Sequence, residues 1–204
     1  MEKRHWTRAI VKVGDGRGFV VERARERYVI TAGHCLPHLP QSAPFLGADD
    51  LTYPRLLGRL RAKRTPVWAE CAFVDPVADL AVLDSPDNQD LFEEAEAWKK
   101  LVGSRPVLPI GDVELVHDRH VFPPWTKIGA WLLSLDGHWR RCDLGANYRG
   151  LWIEDDQGQG RRITEPGMSG SPIVDDDGNA IGVLCSNRDQ AFLARQLPRW
   201  FLDG

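Results

Sequence analysis

Gly167-Met168-Ser169-Gly170-Ser171-Pro172 places a serine on a stretch with a glycine on either side and a proline just beyond. Glycine turns tightly because it has no Cβ to clash. A serine on such a turn can hold its hydroxyl exposed, and the N–H groups of Gly167 and Ser169 can converge on one point as an oxyanion hole. The same six residues, read alone, also describe an ordinary turn between strands. Nucleophilic chemistry needs two further parts elsewhere in the chain.

A serine hydroxyl is a poor nucleophile until an imidazole takes its proton, and that imidazole needs an acid to fix its tautomer and stabilise its cationic form. Val29-Ile30-Thr31-Ala32-Gly33-His34-Cys35 is an apolar, β-branched run that ends in small residues and a histidine, which predicts a buried strand delivering His34 at its end. Val77-Ala78-Asp79-Leu80-Ala81-Val82-Leu83 places an acid at the start of another apolar run. Asp75 and Asp84 compete for the orienting role, but only Asp79 opens the run and it is preferred. His5, His38, His117, His120 and His138 fall in predicted turns or strand ends and read as surface or packing residues.

The segments T-A-G-H-C, D-L-A-V-L and G-M-S-G-S-P, in that order, resemble the trypsin/chymotrypsin-like serine proteases over most of the chain. The intervals from 34 to 79 and from 79 to 169 each suit one half-barrel. The resemblance implies an all-β fold of two six-stranded antiparallel β-barrels with the active site between them. It implies a catalytic triad of His34, Asp79 and Ser169, an oxyanion hole from Gly167 and Ser169, and hydrolysis of a protein substrate without metal or other cofactor. An esterase of the α/β-hydrolase kind is disfavoured, because there the serine precedes the acid and the histidine. The alternative is a catalytically silent protein-binding module on the same fold, against which stands the retention of all three triad residues.

By the same resemblance Ile163 and Thr164 form the base of the substrate pocket, with Cys185, Ser186 and Asn187 as its wall. No acid lies at the base, so an uncharged small or medium side chain is expected rather than Arg or Lys. Zymogen-forming relatives carry a carboxylate immediately before the nucleophile to pair with a newly cut N-terminus; here that position is Met168. The chain is closer in style to the bacterial intracellular and Htr-type branch, in which loop order or a regulatory protein partner or sensor sets activity.

At 204 residues the chain is long enough to bury a sizeable core in one peptidase domain, with an N-terminal barrel over 1–85, a helical linker over 86–110 and a C-terminal barrel and helix over 111–204. Composition is that of a globular protein, 43% hydrophobic and 27% charged. A net charge of −3 gives no overall reason to expect a nucleic-acid partner, and the basic residues between Arg59 and Arg64 read as a solvated strand face. The charged start of the chain lacks the apolar segment of a signal peptide, and no apolar run is long enough for a membrane span. Cys35, Cys71, Cys142 and Cys185 are widely spaced and read as reduced thiols, which with the missing signal predicts a cytoplasmic protein.

Alternation and turn residues predict strands over 6–13, 19–22, 55–62 and 67–74, a loop over 41–54, and hairpins around Asp136-Gly137 and Asp175–Asn179. A short strand over 151–154 and the polar loop Asp155–Arg162 precede the serine turn, and a last strand over 191–194 leads to a short C-terminal helix with Trp200 and Phe201. Leu91, Phe92, Ala95, Trp98 and Leu101 recur at helical spacing, so a helix should cover the crossing between the barrels.

Overall fold

A computed structural model describes residues 3–40, 51–87, 89–115, 125–147, 150–154, 163–185 and 191–203. The first six strands are β1 (Ile10–Val13), β2 (Gly16–Arg23), β3 (Glu26–Ala32), β4 (Thr52–Arg59), β5 (Val67–Asp75) and β6 (Leu80–Asp84). They form a closed antiparallel barrel in the order β1-β2-β3-β6-β5-β4. Closure comes from β1 against β4, with Val11 opposite Arg59 and Val13 opposite Leu57. Closing the sheet leaves no unpaired edge and seals Phe19, Val20, Ile30, Leu57 and Leu80 away from water. Each such side chain contributes about 1.5–3 kcal/mol when fully buried.

The second half holds β7 (Thr126–Leu133), β8 (Trp139–Asn147), β9 (Gly150–Ile153), β10 (Pro172–Val174), β11 (Ala180–Val183) and β12 (Ala191–Phe192). These make an antiparallel six-stranded sheet ordered β12-β11-β10-β7-β8-β9, and its outer strands β9 and β12 approach each other to form a nearly closed barrel. Its interior is built from Leu132, Leu144, Met168, Ile173 and Phe192. The two-barrel all-β architecture expected from the sequence is the architecture of the molecule.

Three local expectations are corrected. Residues 6–9 belong to a helix, α1 (Lys3–Ala9), and the first strand starts only at Ile10. Trp6 and Ala9, three residues apart, are the buried positions of this helix and share one face. Trp6 packs edge-on against Trp139 of the second barrel, with ring centroids 5.2 Å apart, and the Trp139 indole donates to Thr7 Oγ1 at 2.9 Å. The predicted inter-barrel helix is α2 (Phe92–Val102), but it lies on the first barrel against β3 and β5, burying Trp98 and Val102. The crossing is made instead by the extended segment after it, where the Leu108 N–H donates to Val20 and the Gly111 N–H to Ala180. The last strand stops at Phe192, and Leu193 and Ala194 are helical in α3 (Leu193–Gln196); α4 (Arg199–Leu202) then carries Trp200 and Phe201.

The predicted loop over 41–54 reaches the described residues only at its end, where Thr52–Pro54 already belong to β4. Among the described residues no helix is long and apolar enough to cross a membrane, and no cluster of His, Cys, Asp and Glu could hold a metal ion.

Candidate active site

Strand pairing brings His34 and Asp79 together. In the β3–β6 ladder Ala32 lies opposite Leu80, and the Gly33 N–H extends the ladder by one bond to the Asp79 carbonyl, at 2.9 Å. His34 follows in a 3₁₀ turn over Gly33–Cys35. One Asp79 oxygen accepts the His34 backbone N–H at 2.8 Å while the other lies 2.6 Å from His34 Nδ1. Such a two-point hold fixes both the ring orientation and, with the Nδ1 proton on the acid's side, a tautomer whose Nε2 is free to accept a proton. Asp79 achieves this with φ of +54°, a left-handed conformation that aspartate tolerates better than most residues.

The rival acids are placed elsewhere. Asp75 Oδ1 accepts the N–H groups of Val77 and Ala78 and so closes the turn that leads to Asp79. Asp84 sits at the far end of β6, where burial raises its carboxyl to about 6, with Glu26, Glu70 and Asp87 adding to the rise against the Ser85 N–H.

Ser169 is set from the other barrel and clamped by the first. Its carbonyl accepts the Arg17 N–H at 2.8 Å; next to it the Gly170 N–H donates to Leu184 at 2.7 Å and the Leu184 N–H to Ser171 at 2.9 Å. Gly170 has φ of +78°, and a Cβ there would lie 1.9 Å from the Arg17 carbonyl oxygen, so only glycine permits this approach. Upstream, the Met168 N–H donates to Glu165 at 3.1 Å. The turn so closed has Pro166 second and Gly167 third with φ of +91°, the signature of type II geometry. Among the described residues the amides of Gly167 and Ser169 have no hydrogen-bond partner. Met168 is fully buried in the second core, so packing rather than charge anchors the residue before Ser169.

His34, Gly167 and Ser169 all line one open cleft of about 1580 Å³. Ile163, Thr164 and Cys185 line it too, together with Glu165 and Pro166; Ser186 and Asn187, like His117, His120 and the loop Asp155–Arg162, lie outside the described residues. The Cys185 thiol is directed at the carbonyls of Ala78 and Asp79, and burial pushes it up to about 12, so it is a packed donor rather than a nucleophile.

Two groups of residues were not singled out by sequence reasoning. Arg17 is 5% exposed, and its guanidinium donates to the carbonyls of Leu133 and Ser134 and lies 3.5 Å from Ser171 Oγ. Burial lowers its affinity for its proton, with Arg61 adding to the effect. It thus joins the first barrel to the second directly behind the serine turn. Lys12, Arg55, Lys63 and Arg64 form the first-barrel wall of the cleft; of these, Lys63 and Arg64 had been expected on a solvated strand face.

The sequence matches the trypsin-like peptidase domain family over residues 16–183. The chain belongs to that family. The fold of this trypsin-like domain is similar to that of a human pathogenic astrovirus serine protease, with a TM-score of 0.51 at 12% identity over 94% of each chain. A weaker likeness is to the MamO protease domain from Magnetospirillum magneticum, with a TM-score of 0.47 at 14% identity, covering 99% of this chain and 97% of that one. No curated protein matches the sequence. The family match begins at β2 and ends with β11.

Proposed function

We propose that this trypsin-like domain is a serine endopeptidase. Ser169 Oγ attacks the substrate carbonyl carbon as its proton passes to His34 Nε2, and Asp79 holds the resulting imidazolium. The amides of Gly167 and Ser169 receive the charge on the carbonyl oxygen. His34 then gives its proton to the leaving amine, the C–N bond breaks, and water activated by the same imidazole hydrolyses the acyl-enzyme.

The observation that carries this reading is the two-point hold of His34 by Asp79 at the edge of the cleft where Ser169 sits between unclaimed amides. The test is labelling with a fluorophosphonate, followed by mapping of the modified peptide. Label on Ser169, lost in Ser169→Ala and kept in Ser171→Ala, supports the assignment. An unlabelled wild type that still binds peptides would instead make the domain a silent binding module.

The pocket lined by Ile163, Thr164 and Cys185 suits an uncharged small or medium side chain in a protein substrate cleaved in a reducing, cytoplasmic setting. Regulation follows from Met168: with no carboxylate there, a new N-terminus has nothing to pair with. Activity then rises when a regulatory partner binds, without change in chain mass. Intact-mass spectrometry alongside the activity assay decides this, since activation that requires loss of an N-terminal peptide contradicts it.

A further inference from the structure

We propose that the first-barrel wall of the cleft is a cationic subsite that binds acidic side chains of a peptide substrate on the leaving-group side of the scissile bond. The inference rests on the endopeptidase reading for which side is which. With the acyl-side residue in the pocket of Ile163, Thr164 and Cys185, the amine that receives the His34 proton leaves over His34 and the adjoining Cys35, Leu36 and Pro37. The same cleft is lined from the first barrel by Lys12, Arg55, Lys63 and Arg64.

Three observations make this a built surface. Among the described residues none of the four cations has a carboxylate partner, and all four line the same cleft. In a chain with a net charge of −3, the described residues lining the cleft include two acids, Asp15 and Glu165. Four unpaired cations beside two acids leave a local positive field.

The second observation is the backbone under Arg55. Tyr53 pairs with Ala69 and Leu57 with Val67, so four steps along β4 answer two along β5, and Arg55 within this bulge has φ of +54°. Bulges re-aim side chains, and a left-handed non-glycine residue costs of order 1 kcal/mol, which the surrounding structure must offset.

Third, the connection from β4 to β5 is fastened to this wall. Thr65 Oγ1 donates to the Arg55 carbonyl, and Lys12 Nζ to the Ala62 carbonyl at 3.3 Å. The cations are therefore held as a group along one side of the cleft, while the second-barrel side offers Ile163, Thr164, Glu165 and Cys185. Carboxylates are the peptide groups that answer such a wall, through charge-assisted hydrogen bonds.

The experiment uses peptides of one sequence whose three residues after the scissile bond are Glu, Gln or Lys. Binding to full-length Ser169→Ala protein is measured by calorimetry and needs no turnover; cleavage by the wild type is measured in parallel. Exposed pairs are individually weak, so three together should favour Glu over Gln by about tenfold at low salt, with Lys weakest. The preference should shrink at high salt and reverse in Arg55→Glu/Lys63→Glu/Arg64→Glu, whose fold is checked by its melting curve. Lys100→Glu, on the exposed face of α2, should keep the wild-type order.

Equal binding of the three peptides, or a preference that survives the triple substitution, overturns the subsite. So does a single-stranded oligonucleotide that binds more tightly than the Glu peptide. Failure of Ser169 labelling with the peptide preference intact would instead overturn the catalytic reading and leave the wall in place.

Discussion

Replacing Arg17 tests whether the interface behind Ser169 is held by a buried cation. In Arg17→Met the side chain keeps its apolar length but loses its contacts to the Leu133 and Ser134 carbonyls and to Ser171 Oγ. Hydrogen bonds from a charged donor are worth about 1.5–3 kcal/mol each, and two of the three are well formed, giving about 3–6 kcal/mol lost. Against this stands release from the burial of a cation with no carboxylate at its guanidinium among the described residues, a penalty of several kcal/mol. The balance should be a destabilisation of about 1–3 kcal/mol, or roughly 3–10 °C in Tm for a chain of this size.

Arg17→Lys separates the two terms. A buried ammonium retains the desolvation penalty but cannot span the same acceptors in a fixed fork, so it should be less stable than Arg17→Met despite keeping the charge. The backbone N–H of residue 17 still donates to Ser169 in both variants, so substrate binding should be nearly unchanged. The turn is less firmly placed, however, and kcat should fall by about 10–100-fold, as small misplacements of a reacting group do. Thermal melts and a KM-against-kcat comparison on a small ester check this. Wild-type stability in Arg17→Lys, or a loss confined to KM, would refute the positioning role.

Asp79→Asn should lower kcat by about 10⁴-fold with little change in Tm, because it favours the wrong His34 tautomer; steady-state kinetics with a melting curve checks it. Gly170→Ala should destabilise by about 3 kcal/mol or more, since its Cβ meets the Arg17 carbonyl in a left-handed turn, and denaturant unfolding measures it. Asp84→Asn should raise Tm by a few degrees at pH 8 and not at pH 4. The folded carboxyl is raised to about 6, above its unfolded value, so its ionisation opposes folding above that pH and has no effect below the unfolded pKa of about 4. Equal Tm gains at both pH values would show that burial of the charge is not the cause.

How much of this was legible in the sequence depends on the range over which each feature is specified. His34 and Asp79 could be found because each ends or opens an apolar run, and one pairing, β3 with β6, converts those runs into a contact. Ser169 was legible through its glycines, which mark where backbone must approach backbone. α1 was misread because three charged residues surround its buried positions at 6 and 9, and a short segment of that kind satisfies alternation and helical period almost equally. The placement of α2 could not be read either, since an apolar stripe says that a face is buried and not which barrel buries it. Arg17 and the wall of Arg55, Lys63 and Arg64 were the least legible. Within β2, Arg17 takes its meaning from acceptors on the other barrel, 116 and 117 residues away. Arg55 takes its direction from a bulge that exists only once the register of β4 against β5 is fixed. Charges whose role depends on distant register look in sequence like any solvated surface, and structure distinguishes them by how they are held: Arg17 by acceptors on the other barrel, Arg55 by the bulge it sits in.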